Sequence, residues 1–391
     1  MHAKSLSKNI YWVGAQDYDR RLFDELVSLP EGTSYNSYVV IGSEKTALID
    51  TVDPHMTHVL MSRLEKLNLK KIDYIVCNHV EQDHSGAIPA VLERFPEAQI
   101  LCSTKAKNML MEHLGIQENK ITQVKDGEEI SLGDKKLRFV HFPWVHWPET
   151  MFTFVPEDKI LFTCDLFGTH LAQSDLYVTD VPKTLALAKL YYAEIMMPFA
   201  NFITRGWEKI TALNASVIAP SHGPVFNDPS VITNAYWSWM NDKPKNLAIV
   251  AYISMHGSTK IMVEHLVDKL SEKGVQVEQF NLNDSDTGKL SSTLVDAATI
   301  VIASPLVLNG AHPKVFYATY LTNALKPKVK YISVIGSMGW GGKMVDQLTG
   351  MLTDIKVEVL PPVFNKGLPT PKELEALEGL AEQIRLKHSE L

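Results

Sequence analysis

The sequence predicts an α/β protein of two domains, the second built on a doubly wound parallel sheet. Three observations carry this reading. The chain has 391 residues, more than one ordinary core covers. After residue 245, apolar strand-like runs alternate regularly with helical patterns. Before it, short β-rich runs repeatedly end in a polar residue ahead of a Gly- or Pro-containing turn. The polar segment Asn241-Asp242-Lys243-Pro244-Lys245-Asn246 reads as the joint, giving domains at 1–244 and 245–391.

In the first half, Tyr38–Gly42 and Thr46–Asp50 read as strands joined by the polar turn Ser43-Glu44-Lys45. His55–Leu67 has helical spacing, Ile72–Cys77 is a continuous apolar strand, and Ala87–Phe95 is a helix. Strands follow at Ile100–Ser103, Lys136–Phe142, Met151–Val155 and Lys159–Thr163. A helical region over 182–214 precedes the strand Ser216–Ala219. In the second half, strands are predicted at Leu247–Ile253, Val275–Phe280, Thr299–Ser304, Tyr331–Gly336 and Val357–Leu360. Helices near 259–273, 313–325, 342–355 and 371–388 supply the crossovers.

Composition narrows the class. Hydrophobic residues make up 45% and charged residues 21%, as in a globular protein. A net charge of −7 argues against nucleic acid or an anionic membrane as partner. There is no run of about 18 apolar residues and no signal-like N-terminus, so no membrane span and a cytoplasmic location are expected. Cys77, Cys102 and Cys164 are isolated, which speaks against disulfides and cysteine-ligated metals. Ten of the 14 histidines precede residue 245, an asymmetry that favours metal chemistry there.

That chemistry centres on His79-Val80-Glu81-Gln82-Asp83-His84, directly after an apolar strand. Two imidazoles and two carboxylates in one short loop are costly in a core unless cations pair with them. Later strand ends offer three more ligands: His146, Asp165 and His222. His141 and His170 lie nearby in sequence and read as outer or structural residues. Trp144 and Trp147 read as packing that excludes solvent.

The second half offers a different constellation. Ser254-Met255-His256-Gly257-Ser258-Thr259 joins a strand to a helix, and such a turn is an anion site. Two further strand-end loops follow. One contains Pro305, Leu306, Leu308, Asn309 and Gly310; the other contains Ser337, Met338, Gly339, Trp340, Gly341 and Gly342. All three fall at the carboxyl edge of the sheet, where ligands bind in this architecture. No G-x-G-x-x-G dinucleotide fingerprint is present.

The first constellation resembles the H-x-H-x-D-H pattern of the metallo-β-lactamase superfamily, with Glu81 in place of the second histidine. Carboxylate for imidazole makes the site harder and more anionic, which suits redox iron better than hydrolytic zinc. H-x-E-x-D-H is similar to the signature of flavodiiron proteins, and the likeness extends along the whole chain. The resemblance implies a metallo-β-lactamase-like αββα sandwich followed by a flavodoxin-like domain. It implies two Fe ions: one held by His79, Glu81 and His146, the other by Asp83, His84 and His222, with Asp165 bridging. His84 is the least secure ligand, because its counterpart swings away in some members. The three C-terminal loops resemble those around FMN in flavodoxins, with the phosphate on Ser254–Thr259 and Trp340 against the ring. The implied activity is reduction of O2 to water and/or NO to N2O, with O2 favoured. Electrons would come from rubredoxin or a reduced deazaflavin coenzyme, in a head-to-tail homodimer or dimer of dimers. The alternative is a zinc hydrolase with a flavodoxin-like docking domain, against which Glu81 counts.

Overall fold

The computed structural model describes residues 2–284 and 286–391. They form two compact units, one ending at Ser238 and the other beginning at Trp239. The helix Pro229–Asn241 runs through that division, and the next strand starts at Lys245. The polar joint is therefore shorter than expected: only residues 242–244 connect helix to strand.

The first unit pairs two sheets. One has seven strands, in the order Lys4–Ser7, Ile10–Trp12, Tyr38–Ile41, Thr46–Ile49, Tyr74–Cys77, Gln99–Cys102 and Ile121–Gln123. The other has five: Glu129–Ser131, Lys136–His141, Met151–Val155, Ile160–Phe162 and Val217–Ala219. Alternate residues divide the first sheet between two cores. Tyr38, Val40, Ile49, Val76 and Leu101 face the second sheet, meeting Phe139, Met151, Val155 and Phe162. Val39, Leu48, Ile75 and Ile100 pack with Leu60, Leu64, Ile88, Val91 and Leu110 from the helices. Burial on both faces explains why these strands read as unbroken apolar runs. On the second sheet, the helix Ala200–Thr211 approaches Phe142 through Gly206, where a Cβ would lie 2.1 Å from the ring. The result is the expected αββα sandwich.

The second unit is a parallel sheet in the order Gln276–Asn281, Lys245–Tyr252, Ala297–Pro305, Tyr331–Met338 and Glu358–Val359. The strand Val363–Lys366 also pairs with Tyr331–Met338. The single fifth strand predicted at Val357–Leu360 is thus two short ones, separated by Pro361 and Pro362, which cannot donate to a ladder. The predicted helix at 342–355 contracts to Met344–Thr349 between glycines. The helix Thr287–Leu294, capped by the Asp286 carboxylate (2.8 Å to the Gly288 amide), was absent from the expectation. So were Thr104–Leu114 and the short strands before Tyr38. Near the C-terminus, His388 locks the last helix to the sheet through Thr299 Oγ1 (2.7 Å) and Asn246 Oδ1 (2.8 Å).

Candidate metal centre and cofactor cleft

The strand Tyr74–Cys77 delivers the metal cluster, and buried hydrogen bonds fix its exit. Asp50 accepts from the Asn78 amide (2.7 Å) and from Asn78 Nδ2 (2.8 Å), while Thr153 Oγ1 donates to Asn78 Oδ1 (2.8 Å). His79 follows. A single helical turn, Gln82–Ser85, then turns Asp83 and His84 inward, and the Thr51 amide and hydroxyl hold the His84 carbonyl (2.6 and 2.8 Å). The loop carrying His222 hangs on Asn36, which donates to the carbonyls of Pro220 and Gly223 (both 2.8 Å).

All seven predicted ligands converge. The ligand atoms of His79, Glu81, His146 and Asp165 lie within 4.8 Å of one another, as do those of Asp83, His84 and His222. Asp165 divides its carboxylate between the sets. Its Oδ2 lies 3.5 Å from His79 Nε2 and 3.4 Å from His146 Nε2. Its Oδ1 lies 3.0 Å from His84 Nε2 and 3.4 Å from His222 Nε2. Glu81 Oε2 closes the first set at 3.0 Å from His79 and 3.2 Å from His146. Asp83 closes the second with one oxygen toward His84 (3.2 Å) and one toward His222 (3.1 Å).

The fit to metal rests on what these contacts fail to be. Both oxygens of Asp83 and Oδ1 of Asp165 are buried, with no properly oriented hydrogen-bond partner among the described residues. They approach imidazole nitrogens closely without hydrogen-bond geometry, as ligands aimed at a common cation do. The electrostatics agree. Burial opposes charge here, yet the carboxylates overcome it, raising His146 to about 9 and His222 to about 10. Against the same burial, the surrounding imidazoles hold Glu81 and Asp165 well below the ordinary carboxylate range. Without a metal, protons on the histidines balance the buried carboxylates; a cation would displace those protons and take both imidazoles and carboxylates as ligands.

The neighbours divide. Trp147 packs edge-on against His79, with centroids 4.9 Å apart, as expected. Trp144 does not enclose the site: it is 43% exposed. His170 stands beside His222 (5.0 Å between rings), hydrogen-bonded to Thr33 Oγ1 at 2.9 Å. His141 is bound up with Asp126 and Lys209 through its backbone instead. One residue went unnoticed in the sequence. Glu149, 2% exposed, bonds His79 Nδ1 at 2.7 Å and the Val80 amide at 3.0 Å. Its only sequence signal is a carboxylate three residues past His146.

In the second unit, Met255, His256, Ser258, Thr259, Pro305, Leu306, Ser337, Met338 and Gly339 line one cleft of about 270 Å³. Gly367, absent from the expectation, completes it. Gly257 takes φ +90° and begins the helix Ser258–Glu272 without a side-chain cap, leaving first-turn amides for an anion. Ser254 accepts from the Lys260 amide (3.2 Å) behind the loop. Leu306, Met338 and Gly342 line an adjoining hollow of about 120 Å³. Ser254, Gly257, Leu308, Asn309, Gly310, Trp340 and Gly341 do not line the cleft. Leu308 and Trp340 are 90% and 68% exposed, and Trp340 Nε1 reaches Asn309 Oδ1 at 3.4 Å.

Fold and site together define a β-lactamase-like metal domain joined to a flavodoxin domain. Residues 33–223 match the ODP family beta lactamase, and residues 250–378 match flavodoxin. A nitric oxide reductase of Moorella thermoacetica is 36% identical over 97% of both chains. A coenzyme F420H(2) oxidase of Methanothermobacter marburgensis is 32% identical, over 98% of this chain and 99% of that protein. The structure of rubredoxin oxygen:oxidoreductase from Desulfovibrio gigas superposes with a TM-score of 0.93 at 29% identity, covering 99% of this chain and 98% of that one. The chain belongs to the flavodiiron protein family.

Proposed function

We propose that this protein is an oxidoreductase that reduces O2 to water and/or NO to N2O at a non-haem di-iron site, with electrons relayed through FMN. The observation that carries the reading is the divided Asp165 carboxylate, with one oxygen toward each ligand set. On this reading His79, Glu81 and His146 would hold one iron, Asp83, His84 and His222 would hold the other, and Asp165 would offer one carboxylate oxygen to each. The cleft at Ser258, Thr259, Pro305 and Ser337 holds FMN. When bound, the iron pair and the flavin supply two electrons each, four in all, the number that takes O2 to two waters.

The chain's own residues supply the setting. Buried imidazoles and carboxylates hold the ligand geometry, and Trp147 keeps water from the His79 ring. Side-chain exposure remains at Glu81 (17%) and His146 (14%), so a small diatomic reaches the centre from that side. The relatives' names identify nitric oxide, oxygen, rubredoxin and coenzyme F420H(2) as molecules that those proteins act on or with. An external donor of the same kind serves here. A head-to-tail homodimer, or a dimer of such dimers, is the assembly in which FMN and iron from different copies meet. Three buried, unpaired cysteines suit a reducing cytoplasm, and no helix among the described residues is long and apolar enough to cross a membrane.

Anaerobic purification with metal and flavin analysis, followed by turnover of the reduced protein with O2 and with NO, tests this. About two irons and one FMN per chain, with consumption of at least one gas, is expected. Colourless protein holding zinc alone would return the hydrolase reading.

A further inference from the structure

The ligand sets differ in what stands behind their histidines. His79 Nδ1 bonds a buried carboxylate, Glu149 Oε1, at 2.7 Å. His222 Nδ1 donates to a neutral group, the Ser34 carbonyl, also at 2.7 Å. His84 Nδ1 is buried and has no partner among the described residues. A carboxylate behind a metal-bound imidazole draws its N–H proton outward and makes the ring a stronger donor; a carbonyl does so weakly, and an unpartnered nitrogen not at all. Glu149 is held in place for this contact. Its Oε1 also accepts from the Val80 amide, and Ser103 Oγ donates to its backbone carbonyl at 2.6 Å. Glu149 lies in the turn just before the strand Met151–Val155, and the Phe142 amide donates to the Thr150 carbonyl (2.9 Å), which ties that turn to the neighbouring strand.

From this geometry we infer that Glu149 is a positioning residue that makes the two halves of the centre electronically unequal, with the His79/Glu81/His146 half the richer in electrons. The inference rests on the di-iron reading above. It adds that the electron-rich half is also the accessible one. Glu81 and His146 retain side-chain exposure, whereas Asp83, His84 and His222 are 4%, 1% and 1% exposed. A diatomic that gains by accepting electron density therefore meets the donor-rich half first.

The test is a redox titration of 57Fe-loaded protein followed by Mössbauer spectroscopy, in wild type and Glu149→Gln. Two distinguishable irons are expected in wild type, one oxidised at the lower potential. In Glu149→Gln that iron's potential should rise toward the other's while the iron content holds. Glu149→Asp, which keeps the charge, should restore part of the difference. An iron-loaded Glu149→Gln protein with both potentials and both spectra unchanged would overturn the inference. Should Glu149→Gln not retain iron, the decision passes to zinc-loaded wild type. There the His79 Nδ1–H proton should resonate downfield of that of His222, and equal shifts would overturn the inference. Protein that refuses iron altogether defeats the di-iron reading, while the zinc-loaded comparison still decides the role of Glu149.

Discussion

Asn36→Ala should loosen the His222 loop at a cost that can be worked from its bonds. Asn36 is 1% exposed and makes three side-chain hydrogen bonds of 2.8 Å. It accepts from the Trp12 indole and donates to the carbonyls of Pro220 and Gly223. Truncation leaves the Pro220 carbonyl its bond from Tyr38 Oη (2.8 Å) but strands the Trp12 N–H and the Gly223 carbonyl. Two stranded groups at roughly 1–3 kcal/mol each give about 2–6 kcal/mol. The backbone bond from the Asn36 amide to the Ser221 carbonyl survives (2.7 Å), so the loop loosens without leaving. Iron affinity at the Asp83/His84/His222 half should fall about 10–100-fold, as for other residues that orient ligands. Urea unfolding of the metal-free protein measures the first quantity without the stabilisation that bound metal adds. Chelator competition on the loaded protein measures the second. A metal-free variant within about 1 kcal/mol of wild type, with unchanged iron retention, would refute the assignment of Asn36 as the anchor of this loop.

Glu81→His should weaken iron retention by about tenfold or more and lower gas turnover; full O2 and NO turnover in an iron-loaded variant would remove the role given to Glu81. Gly206→Ala places a Cβ 2.1 Å from Phe142 Cζ, so a destabilisation of about 1–3 kcal/mol is expected in chemical unfolding, and a variant as stable as wild type would show that the helix slides freely. His388 sets a pH dependence in the second unit: burial lowers it to about 4, and Nε2 accepts from Thr299 while Nδ1 donates to Asn246. The unfolded chain binds a proton that the folded one refuses, so this stability is whole above the ordinary histidine pKa of about 6.5 and is lost as pH falls toward 4. The loss amounts to at most about 3 kcal/mol, and flavin release during urea unfolding should show it in wild type but not in His388→Gln; equal pH dependence in both would contradict it.

The seven candidate ligands are legible in the sequence because each lies at or just past the end of an apolar strand, where sheets present functional groups. The strands themselves are legible because both faces of the central sheet are buried, which makes them continuous runs such as Tyr74–Cys77. Asn36 and Glu149 are not legible. Their roles consist of partners far along the chain, 187 residues away for the Asn36 bond to Gly223 and 70 for Glu149 to His79, and the sole local mark is Glu149's place three residues past His146. The helix Thr104–Leu114 is a different case. Ser103 accepts from the Ala106 amide and Gly115 closes it at φ +66°, so both caps stand in the sequence, but only Ala106 and Leu110 are buried and the apolar stripe is thin. Of the three C-terminal loops, Ser258, Thr259, Pro305, Leu306, Ser337, Met338 and Gly339 converge on the cleft, whereas Leu308 and Trp340 stand out into solvent.

A charge count explains what Glu81 does that a histidine at its position would not. Glu81, Asp83 and Asp165 face the metal positions, and Glu149 stands directly behind His79. Four carboxylates balance two divalent cations, with the imidazoles neutral. Asp50, one layer further out, is pushed up to about 6 by burial and already accepts from Asn78. With histidine at position 81 the same pocket would hold a surplus positive charge before any electron left. Each further charge, at about 4 Å and an effective dielectric of about 20, costs roughly 4 kcal/mol against its neighbour. Oxidising the pair therefore begins from neutrality in this chain and from a cationic pocket in the histidine pattern. Glu81 and Glu149 act in the same direction and on the same ligand set. The half of the centre that departs from the H-x-H-x-D-H pattern is also the half best able to give electrons away.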